Sequence, residues 1–238
     1  MQNSVLERFR KLLLSLILLC YSIFAVSGQQ INYPAVFGKD WEKANEYLRE
    51  NRPWMETMLR KNHIPYKIGA AIVFPELVRY SALRDKMEIT LLKALYVNLG
   101  EDYANFSVGR FQIKPSFARS VMEKATGLPL RKTGLSFSDK PAFDDPEYRK
   151  SILSELEDPV MEFGYVVAFI KICEKKYTLP QEKESRLKFL STAYNCGIEK
   201  DERQIQDFSE KRFFSVSLFS TANTYSYSDI ALFWYKNN

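Results

Sequence analysis

Apolar positions along this chain recur mostly at helical spacing, and the breaks are marked by proline, glycine and acidic caps. Asp40 to Arg60 predicts a pair of helices divided at Pro53. Tyr66 to Tyr80 is an apolar segment containing one acid, Glu76. Leu83 to Leu99 repeats leucines at helical spacing and stops at Gly100. Glu101 to Lys114 reads as a loop, with a weak hairpin signal around Tyr103 to Ile113. Pro115 to Ala125 has proline in its first turn and Gly127 past its end, both marks of a helix. Gly127 to Asp144 is the most loop-like stretch. Asp145-Pro146 and Asp158-Pro159 each place an acidic cap before proline at a helix start. The second of these helices should reach about Lys176. Further helices are expected over Glu182 to Asn195 and over Ser228 to Tyr235, the last bringing Trp234 and Tyr235 to the core. The expected fold is mostly α.

Composition narrows the class. The chain has 238 residues, 46% of them hydrophobic and 14% aromatic, which excludes an intrinsically disordered chain. No Gly/Ser-rich or Pro-rich linker interrupts the middle, and no repeat or low-complexity run occurs. Residues 1–28 read as a secretory signal. Arg8, Arg10 and Lys11 precede an apolar run from Leu12 to Ala25, and small residues allow cleavage after Ser27 or Gly28. The apolar run is short for a bilayer span, so no transmembrane segment is expected in the mature protein. Leucines before Cys20 argue against lipoprotein processing. The organisation expected is a signal peptide (1–28), an N-terminal helical extension (29–64) and one main domain (65–238), secreted or periplasmic.

The net charge of +5 is mild and marks no nucleic-acid partner. Of the three cysteines, Cys173 and Cys196 survive signal removal. In an exported chain they are either a disulfide or two buried thiols on neighbouring helices. The lone histidine, His63, lies in a turn sequence with no nucleophile elbow to serve. Metal ligand sets and phosphate-binding loops are absent from the sequence, so no cofactor or metal is expected. Asn105-Phe106-Ser107 fits an N-glycosylation pattern that is common by chance.

Three patches carry candidate chemistry. In a continuous helix, Ile68, Ile72 and Glu76 share a stripe, which puts a carboxyl group on an apolar face. Burial there raises its pKa, as a general acid requires. The plainer alternative is Pro75-Glu76 as a helix start. The second patch is Ser107-Val108-Gly109-Arg110-Phe111-Gln112-Ile113-Lys114-Pro115. Gly109 permits a sharp turn, Phe111 offers a flat apolar surface for a sugar ring, and Gln112 can both donate to and accept from sugar substituents. The plainer alternative is a loop with Phe111 in the core. The third patch, Ala193-Tyr194-Asn195-Cys196-Gly197, ends a helix, with Leu187, Leu190 and Tyr194 on one face.

In this order the patches resemble the glutamate, G-L-M-Q-x-x-P and A-Y-N-x-G signatures of lytic transglycosylases and their lysozyme-like relatives, over roughly Pro65 to Gly197. The resemblance implies a lysozyme-like domain with a small β-hairpin or loop element, acting on peptidoglycan glycan strands. It makes Glu76 the catalytic acid and gives Gly109, Phe111, Gln112, Tyr194 and Asn195 to the substrate site. It also implies a hydrogen bond from Tyr194 that orients the Glu76 carboxyl. Leu77 replaces the serine that commonly follows the family's glutamate, and Arg110-Phe111 replace Leu-Met. A hydrolytic muramidase is the neighbouring expectation, with Asp102 as its second carboxylate. A non-catalytic wall-binding protein and an exported interaction module are the others.

Overall fold

A computed structural model describes residues 31–82, 86–135, 144–215 and 224–238. The signal peptide expected over residues 1–28, with Cys20, lies outside these. The chain divides into two compact units, Met1–Val36 and Phe37–Asn238. The described part of the first is residues 31–36, where a short helix, α1 (Tyr33–Phe37), begins. All that follows concerns the second. Residues 37–64, read from the sequence as part of an extension, belong to this larger unit.

Its described helices are α2 (Lys39–Lys61), α3 (Tyr66–Ala82), α4 (Lys86–Leu99), α5 (Pro115–Ala125), α6 (Pro146–Glu157), α7 (Pro159–Lys176), α8 (Lys183–Cys196), α9 (Glu202–Ser209) and α10 (Tyr227–Asn237). The unit is mostly α, as expected. Among the described residues, β pairing is limited to two isolated antiparallel bridges, Val108 with Ile113 and Phe214 with Tyr225. No described helix is long and apolar enough to cross a membrane.

Helix α2 corrects one expectation, for it is continuous through Pro53. That proline and Arg49, whose carbonyl loses its partner, both sit on the exposed face, where water satisfies the loss. Leu48, Met55, Met58 and Leu59 bury the opposite face and hold the two halves in line. Asn62 then accepts from the backbone N–H of Arg131 (2.9 Å) and donates to its carbonyl (2.8 Å), clamping the long loop after α5.

Helix α3 is the centre of the unit. It packs against α2, α8 and α10 and contacts α7. Ala70 to Phe74, Leu77 and Val78 are all buried, so this helix is covered on every side. It too continues through a proline, Pro75. The proline leaves the Ala71 carbonyl without its helical donor, and the adjoining Ile72 carbonyl accepts the Tyr227 hydroxyl at 2.8 Å. Aromatic rings from three helices close the core here. Trp41 meets Phe74 edge-on at 4.6 Å, and Trp234 stacks on Phe74 at 5.3 Å. Trp234 is buried as expected, whereas Tyr235 is half-buried under Lys67.

The acidic caps form as expected. Asp145 accepts from the Tyr148 N–H, and Asp158 accepts from Val160 and Met161. Helix α9 was not foreseen. It is eight residues long, buries only Ile205, and starts with a capping box between Asp201 and Gln204.

Cys173 and Cys196 are free thiols, which corrects the disulfide alternative. Burial pushes both thiols upward in pKa, that of Cys196 to about 11, which makes them weak nucleophiles in the folded chain. Labelling the denatured, unreduced protein should modify both cysteines. Recovery of a linked Cys173–Cys196 peptide by mass mapping would overturn this.

Candidate active site

The site is built around the turn from Gly109 to Ile113. Val108 and Ile113 exchange backbone hydrogen bonds of 2.9 and 3.0 Å, which forces four residues into a tight reversal. Glu162, fully buried on α7, sits inside it. Its Oε2 accepts the Arg110 N–H at 2.8 Å and its Oε1 accepts the Phe111 N–H at 2.7 Å. Burial pushes the Glu162 pKa well up, while the N–H groups of Phe111, Arg110 and Ile113 and the Arg110 charge favour the carboxylate. Both oxygens accept from the turn's backbone, so Glu162 works here as the internal acceptor that fixes the turn's shape.

That approach leaves no room for a side chain at Gly109. A Cβ there would lie 2.3 Å from the Glu162 carboxyl carbon and 2.4 Å from the Leu156 carbonyl oxygen, and its φ of 76° is left-handed. Gly109 therefore serves the turn and does not line the cleft. Phe111 also corrects its expected role. Its ring is completely buried, 5.2 Å from Phe163 and 6.1 Å from Tyr47, and offers no surface to a sugar. Pinning Phe111 inward turns the next residue outward. Gln112 adopts φ 55°, rare for a residue with a side chain, and its amide donates to the Gly109 carbonyl at 2.9 Å.

Gln112 lines a cleft of about 460 Å³. Glu76 and Arg79 of α3, Ile113 and Lys114 after the turn, and Tyr194 to Gly197 at the end of α8 line it too. Asn105, Ser107, Ser116, Ser120 and Glu199 extend it with groups able to meet hydroxyl and amide substituents. The three sequence patches thus meet at one cavity, each contributing part of its lining. Asn195 is placed there as expected. Asp102 is exposed and does not line the cleft.

Glu76 is 4% exposed. It lies inside α3, which removes the helix-start alternative. Arg79, one turn on, places Nη1 3.1 Å from Oε2 and 3.3 Å from Oε1, but a directed hydrogen bond forms only at Oε1. Oε2 is buried with no aligned donor. Burial raises the Glu76 pKa from 4.5 to about 7, and Arg79 and Lys114 hold it from going higher. A carboxyl group poised near neutrality, at the wall of a cleft, can give and retake a proton.

Tyr194 is buried, but its hydroxyl donates to the Phe111 carbonyl at 2.9 Å, not to Glu76. The turn presents that carbonyl toward α8, and a buried hydroxyl takes the acceptor it can reach. Burial, helped by the nearby Glu162 and Glu76, raises the Tyr194 pKa and keeps the phenol neutral. The orienting bond expected for the acid is therefore a bond that fixes the turn. Sequence reasoning missed Glu162, Arg79 and Tyr227, which join segments far apart in the chain. Only an acid at the fourth position of an otherwise apolar helix signals Glu162.

Comparison of the chain with protein-family models, with curated proteins and with solved structures gave no match.

Two predictions follow from these contacts. Gly109→Ala should cost roughly 3 kcal/mol or more in denaturant unfolding, from left-handed strain and overlap with Glu162 and Leu156. A loss within about 1 kcal/mol, the usual scale of a surface change, would contradict the close approach. Glu76 holds its proton more tightly folded than unfolded. Its contribution to stability is full below about pH 4.5 and is lost as the pH rises through about 7. Relative to Glu76→Gln, wild-type stability should fall by up to about 3 kcal/mol across that window. A flat difference between pH 4 and 8 would show an ordinary carboxylate.

Proposed function

We propose that this chain is an exported peptidoglycan-cleaving enzyme of the lytic transglycosylase type, built on a lysozyme-like domain. The observation that carries the reading is the convergence of Glu76, Gln112 and Tyr194-Asn195 on one cleft, with the acid buried and its pKa near 7.

Glu76, protonated, gives its proton to the oxygen bridging N-acetylmuramic acid and N-acetylglucosamine. The C1–O bond breaks, and the substrate's own acetamido group stabilises the cationic carbon. The Glu76 carboxylate then takes the proton of the C6 hydroxyl. That oxygen bonds to C1 and closes a 1,6-anhydro ring, so no water is consumed. A pKa near 7 suits both halves of this cycle, because the group must be an acid first and a base second. Burial supplies the first state, and Arg79 and Lys114 stabilise the second. Gln112, held by the strained turn, offers its remaining amide groups to the acetamido or hydroxyl substituents. Asp102 lies outside the cleft, so it is not the second carboxylate a muramidase would need there.

Mass spectrometry of purified peptidoglycan digested by the protein tests the reading. Products should end in 1,6-anhydro-muramic acid, and Glu76→Gln should lower their release by at least about a hundredfold while keeping the fold. Activity should decline as the pH rises past about 7, where the acid loses its proton. Reducing ends would mean a muramidase. Binding to the wall without products would mean a non-catalytic glycan-binding protein.

A further inference from the structure

Of the two acids that line the cleft, Glu199 pairs with Lys124, which leaves Glu76 to face both Arg79 and Lys114. Arg79 is fixed from three sides. Its Nε donates to the Ser215 carbonyl at 3.3 Å, its guanidinium carbon lies 4.1 Å over the Phe214 ring, and Nη1 pairs with Glu76. Among the described residues Nη2 has no hydrogen-bond partner. Lys114 lines the same cleft and joins no ion pair among the described residues.

The acid role of Glu76 sharpens this imbalance. Once Glu76 is protonated, Arg79 loses its counter-charge but cannot swing away to water. The remaining groups that face Glu76, Tyr194 of α8 and Tyr227 of α10, are neutral phenols. A planar, immobilised guanidinium with an open edge, beside an exposed ammonium, matches a ligand carboxylate.

Building on the reading above, we propose that Arg79 and Lys114 form a carboxylate-recognition site, and that the cleft selects glycan whose lactyl carboxylate carries no peptide. The lactyl ether stands on the same muramic ring as the scissile bond, as Arg79 stands one helical turn from Glu76. Attachment of a peptide converts that carboxylate to a neutral amide and removes the match. The substrate must then come from a reaction that hydrolyses the lactyl–peptide amide bond. Binding of the carboxylate to Arg79 also competes with the Glu76–Arg79 pair, so the right ligand leaves the acid in its protonated form.

Titration calorimetry with the uncleavable disaccharide N-acetylglucosaminyl-N-acetylmuramic acid and with its lactyl methyl ester tests this. The acid should bind at least tenfold more tightly than the ester. Arg79→Gln should erase most of that ratio and Lys114→Gln part of it, each weakening the acid far more than the ester. Ester binding reports that each variant is folded, and Lys114, exposed on a loop, can be replaced without burying anything. In carbon NMR titrations the Glu76 carboxyl should shift to a higher pKa with the acid and stay in place with the ester. Equal affinity for acid and ester, or a ratio untouched by Arg79→Gln, would overturn the proposal and leave the glycan reading standing. No binding of either sugar would overturn both.

Discussion

A single buried carboxyl group, that of Glu162, sets the geometry on which the cleft depends. Its two oxygens take the N–H groups of Arg110 and Phe111, which ties residues 109–113 to α7. A buried carboxyl group left without such donors is costly, so the turn and the acid stabilise each other. The consequences spread outward. Gly109 must lack a side chain, Phe111 must enter the core, and Gln112 must take a left-handed conformation that points it into the cavity. Tyr194 reads the same turn from the other side, through the Phe111 carbonyl. A change at α7 therefore reaches the cleft wall without touching it.

The acid has a different support. Glu76 rides on a helix that is buried all round and broken in its hydrogen-bond ladder by Pro75. A proline in a helix interior costs about 3 kcal/mol in isolation. Here Tyr227 donates to the neighbouring Ile72 carbonyl, and the Trp41, Phe74 and Trp234 rings pack the same stretch. The acid is thus positioned by tertiary contacts from α2 and α10, elements at the two ends of the compact unit.

Local signals in the sequence carried much of the fold. Proline and aspartate at helix starts, glycine at helix ends and apolar spacing located α5 to α8 and α10, because each of these acts within a few residues. Pro53 misled for a physical reason, since a proline on an exposed face divides a helix only if nothing else holds it together. Helix α9 escaped notice because it is too short and too polar to show periodicity. The site was half legible. Glu76, Gln112 and Asn195 were named from their patches, but the partners that set their geometry were not. Glu162, Arg79 and Tyr227 act through contacts that no short window contains. Phe111 was given a sugar-facing role that its burial reverses, and Tyr194 reaches the cleft but donates to the Phe111 carbonyl instead of Glu76.

The two supports meet at Arg79. Glu76 near neutrality requires a balance, with desolvation pulling the pKa up and a cation pulling it down. A mobile cation would leave this balance to solvent. Arg79 is instead held on Phe214 and Ser215, which lie on the bridged segment leading to α10. The same terminal segment carries Tyr227, which steadies the helix under Glu76. The C-terminal part of the chain therefore sets both where the acid stands and how strongly it holds its proton. Neither property can be tuned without the other, since both depend on the docking of α10 against α3 and α8.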